Sequence, residues 1–291
     1  MHFQRRCRQS SSLFFIENKK TPYVAMPRRV FSFLWYYFDM KKGRSTSWGG
    51  VAGWYDSLVT SEGSYQKELL LPNLLRLVAP KKGMTIVDVG CGQGLFSHAY
   101  ATQGARVFGT DVASELIVIA QKGKTSLEEF FVNSADNMKD IKSACADVAT
   151  ITLALQNIER VDKTLRESAR VLKKGGRILI VLNHPCFRIP KQSAWGWDAA
   201  TETQYRRIDG YLGESRSSIA MHPGKNTTDA TVSFHRSLQF YFKMFQKNGF
   251  AVTRLEEWES HKKSEKGPRQ RAEDRARKEI PLFLYIEAVK L

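Results

Sequence analysis

The residues best suited to chemistry are three closely spaced glycines and two aspartates in the first half of the chain. Gly90, Gly92 and Gly94 lie in VDVGCGQG, between a short apolar run and a helix-like segment. Glycine allows positive φ and a close approach of a ligand to the backbone, and the N–H groups that begin a helix face that ligand. Asp88 precedes the glycines, and Asp111 ends the next apolar run, where a carboxylate can accept both hydroxyls of a ribose. This pattern predicts a site for a ligand that carries a ribose.

The glycine spacing separates this site from the dinucleotide-binding pattern. A dinucleotide site would place its glycines as G-x-G-x-x-G, but Leu95 occupies the position where the third glycine would fall. The sequence instead reads D-x-G-x-G-x-G, from Asp88 to Gly94. A glycine cluster alone is a weak signal, and it becomes a strong one in combination with both acids and with the alternation of strands and helices around them.

From about residue 50 onward, strand-like and helix-like segments alternate. Strands are predicted at TIVDVG, ARVFGTDV, EEFFVNSAD, DVATITLALQ and RILIVLN, and two more follow near the end, at AVTRLEEWE and LFLYIEAVKL. Residues 161–174 are predicted to form an amphipathic helix that Gly175 ends. Such alternation indicates a parallel sheet with helices on both faces, and the two final strands indicate an antiparallel pair at one edge.

Together, VDVGCGQG, TDVA, NSADNM and VLKKGG resemble the class I S-adenosylmethionine (SAM)-dependent methyltransferases, and most of all their small-molecule, ubiquinone/menaquinone-type group. The resemblance covers about residues 50–291. It implies an α/β fold with a doubly wound, seven-stranded, mostly parallel sheet, the Rossmann-like methyltransferase fold, in which the last strand is antiparallel and a lid insertion follows the fifth strand. It also implies SAM as the cofactor and methyl transfer to a small-molecule acceptor as the activity.

The resemblance implies a cofactor-binding role for the acids and glycines of the motif region. Asp88 would organise the loop and face the amino group of the methionine moiety. Gly90, Gly92 and Gly94 would let the cofactor lie against the backbone, and Asp111 would hold the ribose. Cysteine 91, inside the motif, is interpreted as a small packing residue because no basic residue flanks it.

The resemblance also implies contacts from the segments that follow the other strands. Val112 would pack on the adenine, and Asp136 and Asn137 would lie at the adenine edge, although Asp136 could instead only cap a turn. Leu153 to Gln156 would line the pocket near the methionine and its methyl group. Tyr55, in GWYD, would close over the cofactor from the N-terminal side.

The acceptor pocket is predicted beside the fifth strand, where RILIVLN runs into NHPCFRIPKQSAWGWD. Ligands of open α/β sheets bind outside the carboxyl ends of the strands, and residues 188–230 then show no clear periodicity. We interpret 188–230 as an insertion that covers the acceptor. His184 and Phe187 would lie near the transferred methyl group, with Arg188, Arg206 or His235 facing a polar or anionic part of the acceptor. The alternative is that these residues only turn the chain and pack the insertion.

The net charge of +16 leaves nucleic acid open as a partner, but two features disfavour it. Amino-methylating enzymes of DNA and RNA usually carry an N/D-P-P-aromatic motif after the fourth strand, where this chain reads LALQNI. The charges of residues 188–230 are nearly balanced. The basic stretch 261–279 is interpreted as a solvated loop or exposed helix, with a phosphate-binding strip as the alternative. A SAM-binding protein without catalysis also stays open.

Residues 1–39 are predicted to be a basic N-terminal tail outside the core, followed by a methyltransferase domain over 40–291. The tail resembles an organellar transit peptide, with an upstream start codon or a plain tail as alternatives. Its longest apolar run, VFSFLWYYF, is far shorter than the roughly 20 residues of a membrane span. The scattered cysteines give no metal-ligand spacing and favour a reducing compartment, most simply the cytoplasm.

Overall fold

The computed structural model describes residues 48–221 and 230–291. Both ranges belong to one compact unit, Ser45–Leu291. The predicted tail at 1–39 lies outside the described residues, and so do residues 40–47, which were predicted to begin the domain. The extent of both segments therefore stays a prediction.

The centre of the fold is a seven-stranded sheet in the order β10-β11-β5-β4-β1-β2-β3. Strands β1 to β5 are mutually parallel, whereas β11 runs antiparallel to both of its neighbours, β5 and β10. The predicted doubly wound sheet with an inserted antiparallel last strand is therefore confirmed. Its strands are β1 Thr85–Val89, β2 Arg106–Asp111, β3 Glu128–Val132, β4 Ala146–Thr152, β5 Leu172–Asn183, β10 Phe250–Trp258 and β11 Phe283–Lys290.

Helices cover both faces of the sheet because successive strand residues point to opposite sides. Ile180 and Ile286 face the apolar cluster that holds Leu165, whereas Val181 and Tyr285 face a second cluster on the opposite side. All of these side chains are almost fully buried. The helices are α1 Ala52–Thr60, α2 Leu71–Val78, α3 Leu95–Thr102, α4 Ser114–Lys122, α5 Val161–Val171, α6 Leu238–Lys247 and α7 Gln270–Glu279, and a π-helical turn, Gln66–Leu70, leads into α2.

The helix predicted over 161–174 ends earlier than expected. Helix α5 stops at Val171, and Leu172 is already extended, with φ −72° and ψ 140°. Leu172 pairs with Ala146 of β4 and is fully buried. The spacing of Leu172 from Leu165 is that of one helix face, which is why the sequence predicted a longer helix. In the structure Leu172 is buried as the first residue of β5 instead. The left-handed residue is Gly175, with φ +73°, a few positions beyond the helix end.

The insertion after β5 contains regular structure that its sequence did not predict. Residues 188–230 include the antiparallel pair β6 Ser193–Asp198 and β7 Thr203–Ile208, and also β8 Ser215–Ala220, which pairs with β9 Ala230–His235. Polar residues occupy about half of the positions of these strands, and apolar alternation is short, limited to Trp195 with Trp197 and to Val232 with Phe234. Tyr205 packs its ring over Gly196 on the facing strand, where a Cβ atom would come within 2.3 Å of it.

None of the helices within 48–221 and 230–291 has the length and apolar character needed to cross a membrane. The longest run of apolar residues noted in the sequence, VFSFLWYYF, precedes residue 48 and lies outside these ranges.

Candidate functional site

The three glycines form a tight turn at the carboxyl end of β1. Their φ angles are +71° at Gly90, +56° at Gly92 and +87° at Gly94, a region that other residues rarely adopt. The N–H groups of Gly90 and Cys91 both donate to the carbonyl of Thr110, at 2.7 and 3.0 Å. The turn is therefore held against the end of β2.

Asp111 anchors this turn through its side chain. Its Oδ2 accepts from the N–H of Gly92 at 3.0 Å, and its Oδ1 accepts from the N–H of Ala113 at 2.8 Å. Burial raises the pKa of Asp111, while backbone N–H donors, from Ala113 first, act against the rise. An ionised carboxylate has about four acceptor sites. Asp111 thus keeps capacity for further donors after it has fixed the loop to the start of α4.

Asp88 lies below the turn and joins three elements. It is 1% exposed, and it accepts from Ser97 Oγ at 2.6 Å and from Thr150 Oγ1 at 2.9 Å. Those hydroxyls belong to α3 and β4, whereas Asp88 itself belongs to β1. Burial raises the pKa of Asp88 to about 6, and the charge of Asp111 adds to the rise. The predicted organising role fits these contacts, and the contact with a methionine amino group stays a prediction.

Buried polar atoms without partners collect at the carboxyl ends of β3 and β4. Within the described residues, both side-chain polar atoms of Asn133, Thr152 Oγ1 and Gln156 Oε1 lack a hydrogen bond. A buried polar atom of this kind costs about 1–3 kcal/mol unless something satisfies it. Asn133 also donates its N–H to the carbonyl of Asp111 at 3.0 Å, so it adjoins the glycine turn. The sequence pointed to Gln156 but gave no signal for Asn133 and Thr152 beyond their places at strand ends.

The end of β4 is strained. Leu153 has φ +54°, a left-handed conformation that costs a residue with a bulky side chain about 1–3 kcal/mol. Two contacts hold it there, because its N–H donates to Val181 O at 2.9 Å and its carbonyl accepts from Gln156 Nε2 at 2.7 Å. A Cβ atom on Gly90 would lie 2.6 Å from the Cβ of Ala154. The predicted Leu153–Gln156 segment therefore packs directly on the glycine turn.

The segment predicted for the adenine edge forms a small turn after β3. Asn137 donates its N–H to Ser134 O at 2.9 Å, and Ser134 Oγ donates to Asp136. Asp136 also makes an ion pair with Arg160 at 3.2 Å. Val112, which follows β2, is 53% exposed. Its apolar side chain is therefore accessible to a planar ligand. The adenine roles of Val112, Asp136 and Asn137 stay predictions, with the turn-capping alternative open for Asp136.

Tyr55 covers the turn from the N-terminal side. It lies on α1, whose Ala52 packs with Ala113 and Leu116 at the start of α4. A Cβ atom on Gly92 would come within 3.9 Å of the Tyr55 ring. Burial, with a further contribution from the charge of Asp111, raises the pKa of Tyr55 to about 12. The ring is thus close to both the turn and its anchor.

His184 is engaged within the protein. Its side chain is 1% exposed, its Nε2 lies 2.7 Å from Glu257 Oε1, and its Nδ1 accepts from the N–H of Cys186 at 3.2 Å. These contacts assign the tautomer in which Nε2 carries the proton. Burial lowers the pKa of His184, and Glu257 only partly opposes this. The imidazole is therefore neutral near pH 7, and both of its nitrogens have partners.

His235 and Arg206 also have hydrogen-bond partners within the protein. His235 Nε2 donates to the carbonyl of Tyr211 at 2.7 Å. Arg206 donates to Phe187 O at 2.9 Å and to Ser193 Oγ at 2.7 Å. The structure brings Arg206 next to Arg188, since both guanidinium groups lie over the ring of Trp195. Contact with an acceptor stays a prediction for His184, His235 and Arg206.

The interpretation of Cys91 as a packing residue agrees with its surroundings. Cys91 is buried in a small apolar cluster with Ile117 and Phe130. Burial raises the pKa of its thiol well above the ordinary range, so the reactive thiolate is not formed near neutral pH. Across the described ranges, no group of three or more His, Cys, Asp or Glu side chains is arranged to hold a metal ion.

The comparisons with known proteins agree with this geometry. Residues 87–180 match the family model described as Methyltransferase domain. The biotin biosynthesis bifunctional protein BioHC of Cellvibrio japonicus is 30% identical over 202 residues, which are 69% of this chain and 38% of that protein. The ubiquinone/menaquinone biosynthesis C-methyltransferase UbiE of Rubrivivax gelatinosus is 34% identical over 105 residues, 36% of this chain and 41% of that protein. This chain thus spans less than half the length of either relative.

A solved SAM-dependent methyltransferase of Mesorhizobium loti superposes on this chain with a TM-score of 0.60 at 24% identity, covering 75% of this chain and 96% of that one. At this identity the likeness shows the fold alone. Residues 87–180 thus match a methyltransferase domain, and the fold is the Rossmann-like one. The resemblance predicted from the glycine motif is therefore confirmed.

The turn geometry predicts that Gly90→Ala destabilises the protein more than Gly83→Ala does. Both positions have positive φ, +71° and +86°, so alanine costs about 1–2 kcal/mol of left-handed strain at either one. At Gly83 the new Cβ meets nothing within 4 Å, whereas at Gly90 it meets the Cβ of Ala154 at 2.6 Å. We expect an additional loss of about 1–3 kcal/mol for Gly90→Ala, measured by urea denaturation. Equal losses would show that the turn is not packed on the end of β4.

The buried Asp88 predicts a pH-dependent difference between the wild type and Asp88→Asn. Because its folded pKa of about 6 exceeds its ordinary value of 3.8, its stabilising effect is complete at low pH and is lost as the pH rises through 6. The free energy of unfolding of the wild type, relative to Asp88→Asn, should rise by about 1 kcal/mol between pH 7 and pH 5. Urea denaturation of both proteins at several pH values measures this difference. A constant difference would mean that Asp88 is not buried as described.

Proposed function

We propose that this chain transfers the methyl group of SAM to a small-molecule acceptor. The observation that carries the proposal is the glycine turn anchored by Asp111 at the carboxyl end of the parallel strands. Three further findings support it: the match of residues 87–180 to a methyltransferase domain, the fold, and the methyltransferase names of relatives. Those relatives act on differently named substrates, so they support the class of reaction more than one particular acceptor.

The residues present fit the cofactor. Above Gly92 the backbone is open, since only Tyr55 would come near an added Cβ. The carboxylate of Asp111 keeps acceptor sites suited to two ribose hydroxyls, and the unpartnered amide of Asn133 can bond a polar edge beside it. Val112 offers an exposed apolar surface for a planar base. Asp88, buried beneath the turn, supplies negative charge where a cationic amino acid moiety would lie.

Bound SAM supplies an activated methyl group on a sulfonium, which an attacking atom displaces in line. The contribution of the chain is to hold the acceptor in position and to exclude water, which is worth several kcal/mol when the reacting atoms are aligned. His184 is neutral and bonded at both nitrogens, and His235 donates to a carbonyl through Nε2. We therefore propose that His184, His235 and Arg206 shape the acceptor side of the site, and that positioning dominates over general-base catalysis.

The contacts of the basic segment 261–279 favour a small acceptor over nucleic acid. Arg269 lies over the ring of Trp197 at 4.7 Å, and Arg277 donates to Ser264 Oγ at 3.0 Å. These two of the eight basic residues of 261–279 contact the insertion and their own loop, which supports a structural role for the segment over a phosphate-binding strip. Together with the free thiols of Cys91, Cys145 and Cys186, which suit a reducing compartment, this favours a metabolic enzyme of the cytoplasm.

The choice of acceptor class is tested with SAM labelled in its methyl group. The protein is incubated with a deproteinised metabolite extract in one arm and with total RNA in the other. We expect label to enter small molecules and not RNA. Label in RNA alone would contradict the proposed acceptor class, and saturable SAM binding without transfer in either arm would favour a non-catalytic SAM-binding protein.

The cofactor site predicts a loss of SAM affinity for Asp111→Ala. Removal of the carboxylate deletes charge-assisted hydrogen bonds worth roughly 1.5–3 kcal/mol, so calorimetry should show at least a tenfold weaker Kd. Cys91→Ala is the matched control, because Cys91 lies in the same turn but is directed into an apolar cluster. Its Kd should be close to that of the wild type. Unchanged affinity in Asp111→Ala, or an equal loss in Cys91→Ala, would contradict the assignment.

A further inference from the structure

Two arginines of the insertion lie over the same indole ring. The guanidinium carbon of Arg188 is 5.7 Å from the ring centroid of Trp195, and that of Arg206 is 5.2 Å from it. The pairing of β6 with β7 sets Arg206 directly across from Trp195. Arg188 reaches the ring from the segment that follows β5. The two positive charges are thus brought together by the fold, not by neighbouring positions in the sequence.

The pair lacks the negative partner that such a grouping normally has. Among residues 48–221 and 230–291, no carboxylate forms an ion pair with Arg188 or Arg206. Arg206 donates to a carbonyl and a hydroxyl, but Arg188 Nε is buried without any hydrogen-bond partner. By contrast, the buried Arg236 donates to two backbone carbonyls and lies near Glu214.

Arg188 remains positively charged despite this environment. Burial first, then the charge of Arg206 and, more weakly, that of Arg277, lower its pKa to about 10. At neutral pH the site therefore holds two cations that repel each other in a partly desolvated place. An uncompensated buried charge is costly, and an anion that accepts hydrogen bonds from both guanidinium groups would offset the cost. Guanidinium groups are well suited to carboxylate and phosphate oxygens because their donors form a planar fork.

The pair lies at the edge of the sheet where the strands present their carboxyl ends. Arg188 donates its N–H to the carbonyl of His184, the first residue after β5. Tyr65 is near enough to Arg188 to affect its pKa, and it packs in the same apolar cluster as Leu153 at the end of β4. The segment that begins at Leu153 packs on the glycine turn. The arginine pair is therefore at the same carboxyl end of the parallel strands as the proposed cofactor site.

We infer that Arg188 and Arg206, which both lie over the Trp195 ring, form a subsite for an oxyanion that the methyl acceptor carries. This oxyanion is a carboxylate or a phosphate. The inference rests on the proposed function, since it names the chemical class of the acceptor for that site. It requires one compact anionic group that meets both guanidinium groups at once.

The test is calorimetry on the full chain saturated with S-adenosylhomocysteine, with sodium phosphate in one arm and sodium succinate in a second. Succinamide is the neutral counterpart of succinate, and sodium chloride controls for ionic strength. The variants are Arg188→Gln and Arg188→Lys, which keeps the charge but loses the planar fork. Arg207→Gln is the matched control because Arg207 is the next residue of β7, is exposed and pairs with Asp209. Circular dichroism and S-adenosylhomocysteine binding verify that each variant is folded.

We expect at least one of the two anions to bind the wild type with a Kd at least tenfold lower than that for Arg188→Gln, with Arg188→Lys between them and Arg207→Gln unchanged. Binding of phosphate only or of succinate only identifies the anion and supports the subsite. The inference is overturned if neither anion binds, if succinamide binds as well as succinate, or if Arg207→Gln weakens binding equally. Failure of the wild type to bind S-adenosylhomocysteine would instead contradict the proposed function, and anion binding can then still be measured on the unliganded chain.

Discussion

The carboxylate of Asp111 is the contact on which the candidate site depends. It bonds the N–H of Gly92 in the glycine turn and the N–H of Ala113 at the start of α4, so one side chain fixes the relative position of two ligand-facing segments. The neighbouring carbonyls extend the same network, because Thr110 accepts from Gly90 and Cys91, and Asp111 accepts from Asn133 after β3. A buried carboxylate is costly unless several donors surround it, and here backbone N–H groups provide most of them.

The packing around this network explains why the turn needs glycine. It also accompanies a strained backbone at Leu153 and side-chain polar atoms without hydrogen bonds at the strand ends. Gly90 has no room for a side chain because Ala154 is packed against it, and that packing accompanies the left-handed conformation of Leu153. The polar groups of Asn133 and Thr152 remain without partners at the same edge. Strain and unmet hydrogen-bonding capacity tend to persist where function requires them. Among the described residues, four of the seven unpartnered buried side-chain atoms belong to Asn133, Thr152 and Gln156, around the place that the proposed cofactor would fill, and the strained Leu153 adjoins them.

The core of the sheet could be predicted from the sequence because its strands are short apolar runs that end in glycine or a polar residue. Runs such as RILIVLN fill both faces of a covered sheet and contrast with amphipathic helices such as α5. Strands β6 to β9 could not be predicted, since they form two-stranded ribbons in which polar residues are frequent and apolar alternation extends over only two or three positions. The end of α5 was misplaced because Leu172 satisfies helix and strand burial equally well. The unpartnered state of Asn133 and the pairing of Arg188 with Arg206 depend on contacts across the fold, which spacing along the chain does not encode.

The fold by itself does not determine what is methylated, because one scaffold supports many activities and specificity lies in the segments attached to it. Here the insertion carries the two arginines on Trp195, and the hydrogen-bonded side chains of His184 and His235 lie just before and just after it. The core residues would hold the cofactor, and the insertion would choose the acceptor. This division of roles accounts for the presence of many well-bonded polar groups outside the glycine turn.

The most direct test of the central claim is a crystal structure of the protein grown with S-adenosylhomocysteine. The account predicts ligand density over the glycine turn, with both ribose hydroxyls within about 2.5–3.0 Å of the Asp111 carboxylate oxygens. It also predicts that Asp111 keeps its bonds from Gly92 and Ala113 when the ligand is bound. Density in another place, or a ribose turned away from Asp111 in a fully occupied site, would contradict the account.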